Sequence, residues 1–401
     1  MAKSIPALVD PRLLSWARES ARLSVFDLAA ALDLPAERIV AWEGGTAHPS
    51  VAQLRKLAKA VRRPVAVFFL PEPPRDFDAL RDFRRTTAEG LPTISPELEA
   101  ELHRAQELRD AALTLAGVDE EGFAPTFPVM ATQDEDPEIV AGRIRATLDV
   151  PYGAQRKWVT PYEALNEWRV AVEALGVLVI NMRAIEVADA RGFSIAGFPW
   201  PLIALNAKDA PNGRIFTLMH ELAHLSLHEG GICDWSDERR LVAPVRAIET
   251  FCNRVASAVL LPRDLVEETI SAAPVQRADD WPDDLLRSYA RRLSVSEESL
   301  LLRLVQLGRA SQAFYARKRE EFRVRYEQAA ASTKTRKPKV RYEQMMVGRL
   351  GAAYLDLAFS AYYARRLTLS ELSSYTGIRV QNLGKVEREA FGITRVPGVD
   401  A

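Results

Sequence analysis

Apolar positions recur with helical spacing along most of this chain, and with strand spacing in one central stretch. Near the N-terminus, Ser24 is placed to cap a helix that turns Leu28, Ala31 and Leu32 inward. Pro35 opens the next helix, and Gly44-Gly45 ends it after Trp42-Glu43. Pro49-Ser50 starts a helix with Val51, Leu54, Leu57, Ala58 and Val61 on one face, and Pro64 begins a last apolar turn through Phe68-Phe69-Leu70. The pattern predicts a five-helix unit over residues 1–72, bounded by the Pro-rich Leu70–Pro74.

Residues 73–150 read as a helical linker region: polar, Pro-punctuated connections around one helix that Ser95 caps and that runs to about Ala116, with Gly117–Pro137 as a loop. A capping box, Thr160-Pro-Tyr-Glu163, opens another helix that Gly176 closes. Three strand-like runs follow, Val177–Ile180, Gly192–Phe198 and Leu202–Asn206, so a small sheet precedes a helix from Asn212 or Gly213 to His228. A further helix, Arg246–Leu261, is stopped by Pro262, and Asp283–Leu307 and Gly348–Arg366 read as helical. The expected fold is mainly α with a small β-sheet. An α+β domain spans 151–310, and a basic linker with a C-terminal helical domain spans 311–401.

Composition narrows the class. The chain has 401 residues, a net charge of −1 and two cysteines. That charge argues against coating nucleic acid or anionic membrane by bulk electrostatics, so any such contact must be local. Two cysteines make no disulfide framework, no apolar run approaches a spanning helix, and the N-terminus has no apolar signal region. A cytoplasmic protein without a membrane partner is expected.

The chemistry concentrates in His220-Glu221-Leu222-Ala223-His224. Two imidazoles four residues apart share one helix face, with Cβ atoms about 5–6 Å apart, so both reach one zinc ion at about 2.0–2.1 Å. Glu221 projects toward the open position of such a metal, where it can take a proton from water. Three of the five histidines of the chain, His220, His224 and His228, fall within the nine residues 220–228.

Zinc then needs a third protein ligand, for which His228, Cys233, Asp234, Asp237, Glu238 and Glu249 are the candidates. His228 lies about 12 Å along the axis from His220 and about 80° round it, so it reads as a residue that flanks the ligands or supports them from behind. Glu249 is better placed, because it shares a helical face with Asn253. A carboxylate ligand followed by an amide provides both a metal bond and a hydrogen-bonding partner for a ligating imidazole.

The run Arg214–His228, with Glu249-x-x-x-Asn253 and the Leu260-Leu261-Pro262 stop, resembles the ImmA/IrrE family of zinc metallopeptidases over roughly residues 150–270. The resemblance implies a zincin-like domain in which His220, His224 and Glu249 hold Zn2+, Glu221 is the catalytic base and acid, and Asn253 supports the ligands. His228, Tyr152 and Arg214 are the candidates for stabilising an oxyanion.

Residues 12–70 are similar to the Cro/C1-type (XRE) helix-turn-helix, with its second helix at about 24–32 and its recognition helix at about 35–43. This resemblance implies double-stranded DNA as a partner, with Arg38, Arg55, Lys56 and Lys59 as contacts. The reading surface departs from the usual pattern: Val25 and Phe26 stand where a glutamine is common, and the recognition helix begins Pro35-Ala-Glu-Arg38.

Two later stretches, Arg287–Leu300 and Thr368–Asn382, have helix-turn-helix-like phrasing and are expected to form αα-hairpins packed on the peptidase domain. The expected function is a regulatory zinc endopeptidase that cleaves a partner protein such as a transcriptional repressor. The alternative is a DNA-binding regulator or antitoxin whose peptidase-like domain binds a toxin. A homodimer through the N-terminal module is plausible.

Overall fold

A computed structural model describes residues 6–7, 9–21, 23–61, 65–69, 95–117, 127–183, 185–228, 232–233, 243–271, 279–333 and 340–392. The chain divides into two compact units, Met1–Arg81 and Asp82–Ala401.

The first unit contains α1 (Pro11–Ser20), α2 (Val25–Leu32), α3 (Ala36–Glu43), α4 (Val51–Ala60) and a 3-10 turn, Val65–Phe69. Ser24 and Asp27 form a capping box at α2, and Ser50 and Gln53 form one at α4. Each satisfies two backbone donors that a helix start leaves open. Leu13, Leu28, Leu32, Ile39, Trp42, Leu54, Leu57 and Phe68 form the core. Ala29 faces inward in place of the expected Ala31, and Val51 is exposed. The α2–α3 joint turns on Asp33, at φ 55°. Arg18 Nε donates to Glu43 Oε1 at 2.7 Å and ties α1 to α3.

The second unit begins with α5 (Pro96–Ala116), α6 (Pro137–Leu148), α7 (Tyr152–Gln155) and α8 (Pro161–Glu173). Helix α6 was not expected from the sequence. Asp136 caps it and Pro137 occupies its first turn, so the proline that reads as the end of a loop is a helix start. Thr160 caps α8 as predicted, but Glu163 reaches back to the N–H of Val159 rather than to that of the cap residue.

The sheet follows: β1 (Leu178–Met182), β2 (Gly192–Ile195) and β3 (Leu202–Asn206), then helix α9 (Pro211–Ser226), the two-residue β4 (Ile232–Cys233) and helix α10 (Ala243–Leu260). Strand order is β1-β3-β2-β4, with β1 parallel to β3 and β2 antiparallel to both its neighbours. Every residue of β2 and β3 is buried, as expected for strands covered on both faces.

Beyond lie α11 (Arg263–Ile270), α12 (Asp283–Arg292), α13 (Glu297–Gln306), α14 (Gln312–Thr333), α15 (Tyr342–Leu350), α16 (Ala352–Tyr363), α17 (Leu369–Thr376) and α18 (Val380–Phe391). Two of the segments that read as helical are each made of two helices, the first as the αα-hairpin expected over Arg287–Leu300 requires. Ser294, at φ 55°, separates α12 from α13, where Ser296 caps anew, and Gly351, at φ 83°, separates α15 from α16. Of the basic linker expected at the start of residues 311–401, Gln312–Thr333 is helical, and residues 334–339 lie outside the described residues. Among the described residues, no helix is long and apolar enough to cross a membrane.

The C-terminal helices pack on the sheet: α15 lies against β1, and α16 against α5. From α5, Arg104 Nη2 donates to the carbonyl of Asn181 in β1 at 3.0 Å.

Candidate metal centre

Every residue of α9 from Arg214 to Ser226 is buried. A helix buried all round should be apolar, yet His220 and Glu221 are fully buried and His224 is 3% exposed. Burying three such groups costs free energy unless a partner compensates. Their placement at the centre of the core therefore marks a site rather than a surface helix that happens to hold histidines.

Glu249 supplies the partner from α10. Its Oε2 lies 3.2 Å from His220 Nε2 and its Oε1 3.3 Å from His224 Nε2, while the two Nε2 atoms are 3.1 Å apart. Bonds of about 2.0–2.1 Å in a tetrahedral site put neighbouring ligand atoms about 3.3 Å apart. The three separations match the edges of such a tetrahedron, and two imidazoles with one carboxylate suit a divalent metal. Among the described residues, His220, His224 and Glu249 form the one His/Cys/Asp/Glu group able to hold a metal ion.

The electrostatics agree. Burial opposes ionising Glu249, but hydrogen bonds from His220 and His224 outweigh it and hold the carboxyl far below its usual range. Burial likewise opposes charging His224, yet Cys252 and Glu249 raise its pKa well above the ordinary imidazole value. The pocket is built for positive charge at the point where these atoms meet.

Glu221 follows His220 on α9. A Cβ at Gly192 would lie 3.5 Å from its Oε1 and 2.4 Å from Thr217 Cγ2. The bare glycine lets β2 pass close over the helix at this carboxylate.

Asn253 sits one helical turn after Glu249 and is partly buried. Cys252, buried and unremarked in the sequence, lies with Glu249 within hydrogen-bonding reach of His224. Burial pushes its thiol pKa up. Its spacing of three from Glu249 was the available signal, since such residues share a face. His228 lies beyond the end of α9 at φ 56°, exposed, with its ring edge-on to Phe198 at 4.7 Å, and it stands apart from the ligand group.

Arg214 donates to Asn181 Oδ1 at 2.6 Å, and the Arg145 guanidinium stacks on Tyr152 at 4.9 Å from the ring centroid. Asp234, Asp237 and Glu238 lie outside the described residues. In the first unit, Arg38 on α3 and Arg55, Lys56 and Lys59 on α4 are all exposed.

A helix-borne histidine pair, a glutamate between them and a carboxylate from the next long helix define a metallopeptidase-type centre. Residues 172–305 match the family described as the IrrE N-terminal-like domain, so the chain carries a domain of that metalloprotease family. The radiation response metalloprotease IrrE of Deinococcus deserti (strain VCD115) is 32% identical over 108 residues, covering 26% of this chain and 36% of that protein. The chain thus spans about a third of the length of this relative.

Proposed function

We propose that the chain is a zinc-dependent endopeptidase that cleaves a partner protein, of which a transcriptional repressor is the expected type. The observation that carries this reading is the fully buried Glu221 between two metal-directed histidines. A site kept only for folding needs His220, His224 and Glu249, but has no use for a second buried carboxylate.

Zinc, when bound by these three residues, lowers the pKa of its water to about 7 and polarises a carbonyl. Glu221 accepts the proton of the attacking water and delivers it to the leaving amine. Its burial keeps bulk water from competing for that proton, and the bare Gly192 backbone lets β2 close over the carboxylate. His220, His224 and Glu249 fix the origin from which Glu221 works.

The N-terminal unit presents Arg38, Arg55, Lys56 and Lys59 to solvent on two successive helices, which supports contact with duplex DNA phosphates. A DNA-binding regulator or antitoxin that holds its partner without cleaving it is the second reading, favoured by that surface alone.

Paired affinity capture from native cytosol, wild type against Glu221→Gln, separates the two readings. A protein recovered whole on the variant and as fragments beside the wild type, with new termini read by mass spectrometry, is the expected result. One intact partner held equally by both would overturn the peptidase reading.

A further inference from the structure

The spacing of the α2–turn–α3 element recurs at the C-terminal end of the chain at one constant offset. Ser24 and Thr368 each cap the first helix through a capping box, with Asp27 and Glu371 three residues on. The first helices, Val25–Leu32 and Leu369–Thr376, have the same length. Each turn hinges on a left-handed residue, Asp33 at φ 55° and Gly377 at φ 63°. Leu28, Leu32, Ile39 and Trp42 are buried in the first element, and Leu372, Thr376, Leu383 and Val386 are buried at the matching positions of the second.

The C-terminal turn is firmly held. Ser373 Oγ donates to the Ile378 carbonyl at 2.7 Å, Thr376 Oγ1 accepts from the Ile378 N–H at 3.3 Å, and Tyr354 Oη donates to the Tyr375 carbonyl at 2.8 Å. Helix α15 packs against α18.

The outward faces differ in charge. On α3 the exposed positions are Glu37, Arg38 and Val40, one anion against one cation. Around α18 they are Arg379, Val380, Gln381, Lys385 and Arg388. Of the two carboxylates of α18, Glu387 is buried at 1%, and Glu389 is neutralised at the surface by Arg341, which donates to it at 2.8 Å.

We propose that residues 368–391 form a second helix-turn-helix that reads duplex DNA, with α18 in the major groove. A helix fits that groove, arginine matches the two acceptors of guanine, and glutamine matches the adenine donor–acceptor pair. Arg379 and Gln381, at the start of α18, face the base edges. Lys385 and Arg388, further along the exposed stripe, face phosphates. This assignment is independent of the peptidase chemistry and of the DNA contact suggested for the N-terminal unit.

The test uses the full chain and a pool of randomised DNA duplexes, with the bound fraction sequenced. Wild type should enrich one motif, and Arg379→Ala/Gln381→Ala/Lys385→Ala should lose it. Arg38→Ala/Arg55→Ala/Lys56→Ala/Lys59→Ala should still select the same motif. On the enriched duplex, Arg379→Ala should weaken binding by about tenfold or more. Lys385→Ala should weaken all duplexes alike and reduce the slope of log affinity against log salt by about one, while Lys385→Arg retains binding. An unenriched pool, or the same motif at unchanged affinity with the triple C-terminal variant, would overturn the proposal.

Discussion

The Oε2 atom of Glu249 lies 3.2 Å from Nε2 of His220, joining two helices whose apolar side chains belong to one core cluster. A metal at this junction binds the folded chain and not the unfolded one, so it stabilises by mass action. Zinc at a hundredfold excess over its Kd should add about 2.7 kcal/mol to unfolding of the second unit. Calorimetry with zinc and with chelator measures the difference, and Glu249→Ala should abolish most of it.

His224 and Glu221 should separate metal binding from hydrolysis. Glu221→Gln is expected to keep the metal and to lose peptide hydrolysis by on the order of 10²–10⁴. His224→Ala removes one of three ligands and should lose the metal itself. Metal analysis of the purified variants checks both, and equal metal in wild type and His224→Ala would remove the centre assigned here.

Gly192 should tolerate no side chain. A Cβ there would lie 2.4 Å from Thr217 Cγ2 and 3.0 Å from the Ala204 carbonyl, so Gly192→Ala must push β2 away from α9. Overpacking of this kind costs about 1–3 kcal/mol. The double variant Gly192→Ala/Thr217→Ser removes the clashing methyl while keeping the hydroxyl that donates to the Gly213 carbonyl. It should recover most of the loss in a denaturant titration.

The metal centre was largely legible in the sequence because its parts obey local rules. His220 and His224 share a face by helical spacing, and Glu249 is marked by Asn253 one turn on. The role of Gly192 was not legible, because it depends on β2 crossing α9 and no spacing within β2 records that. Cys252 escaped for a similar reason: a buried cysteine reads as core until the neighbouring helix brings His224 to it. Helix α6 was hidden by Pro137, which reads equally as loop or first turn, and Gly351 by its setting in an otherwise helical apolar pattern.

Arg303 should make stability depend on pH through Glu138. The guanidinium is 1% exposed, donates to both Glu138 oxygens at 2.5 and 2.8 Å, and donates through Nε to the Leu261 carbonyl. These hydrogen bonds hold the Glu138 pKa below its ordinary value. A depressed folded pKa contributes stability that is fully present above the unfolded value, about 4.3, and is lost as pH falls through the folded one. Glu138 is partly open to solvent, which weakens the effect. Glu138→Gln should cost about 1–3 kcal/mol at neutral pH and flatten the acid limb of the stability profile.

Gly351 should decide whether the C-terminal helices stay on the sheet. It combines φ 83° with a Cβ direction that would run 2.5 Å from the Val179 carbonyl and 3.0 Å from Glu173 Oε1. Gly392 has φ 70° and nothing within 4 Å, so it carries the conformational penalty alone. Gly392→Ala should therefore cost about 1–2 kcal/mol. Gly351→Ala adds a backbone clash and should cost about 3 kcal/mol or more. Because the clash lies where α15 meets α16 beside β1, the loss should be local: limited proteolysis should cut Gly351→Ala between β1 and the C-terminal helices while leaving Gly392→Ala at the wild-type rate. Equal proteolysis of the two variants would mean that close approach to Val179 contributes nothing to docking.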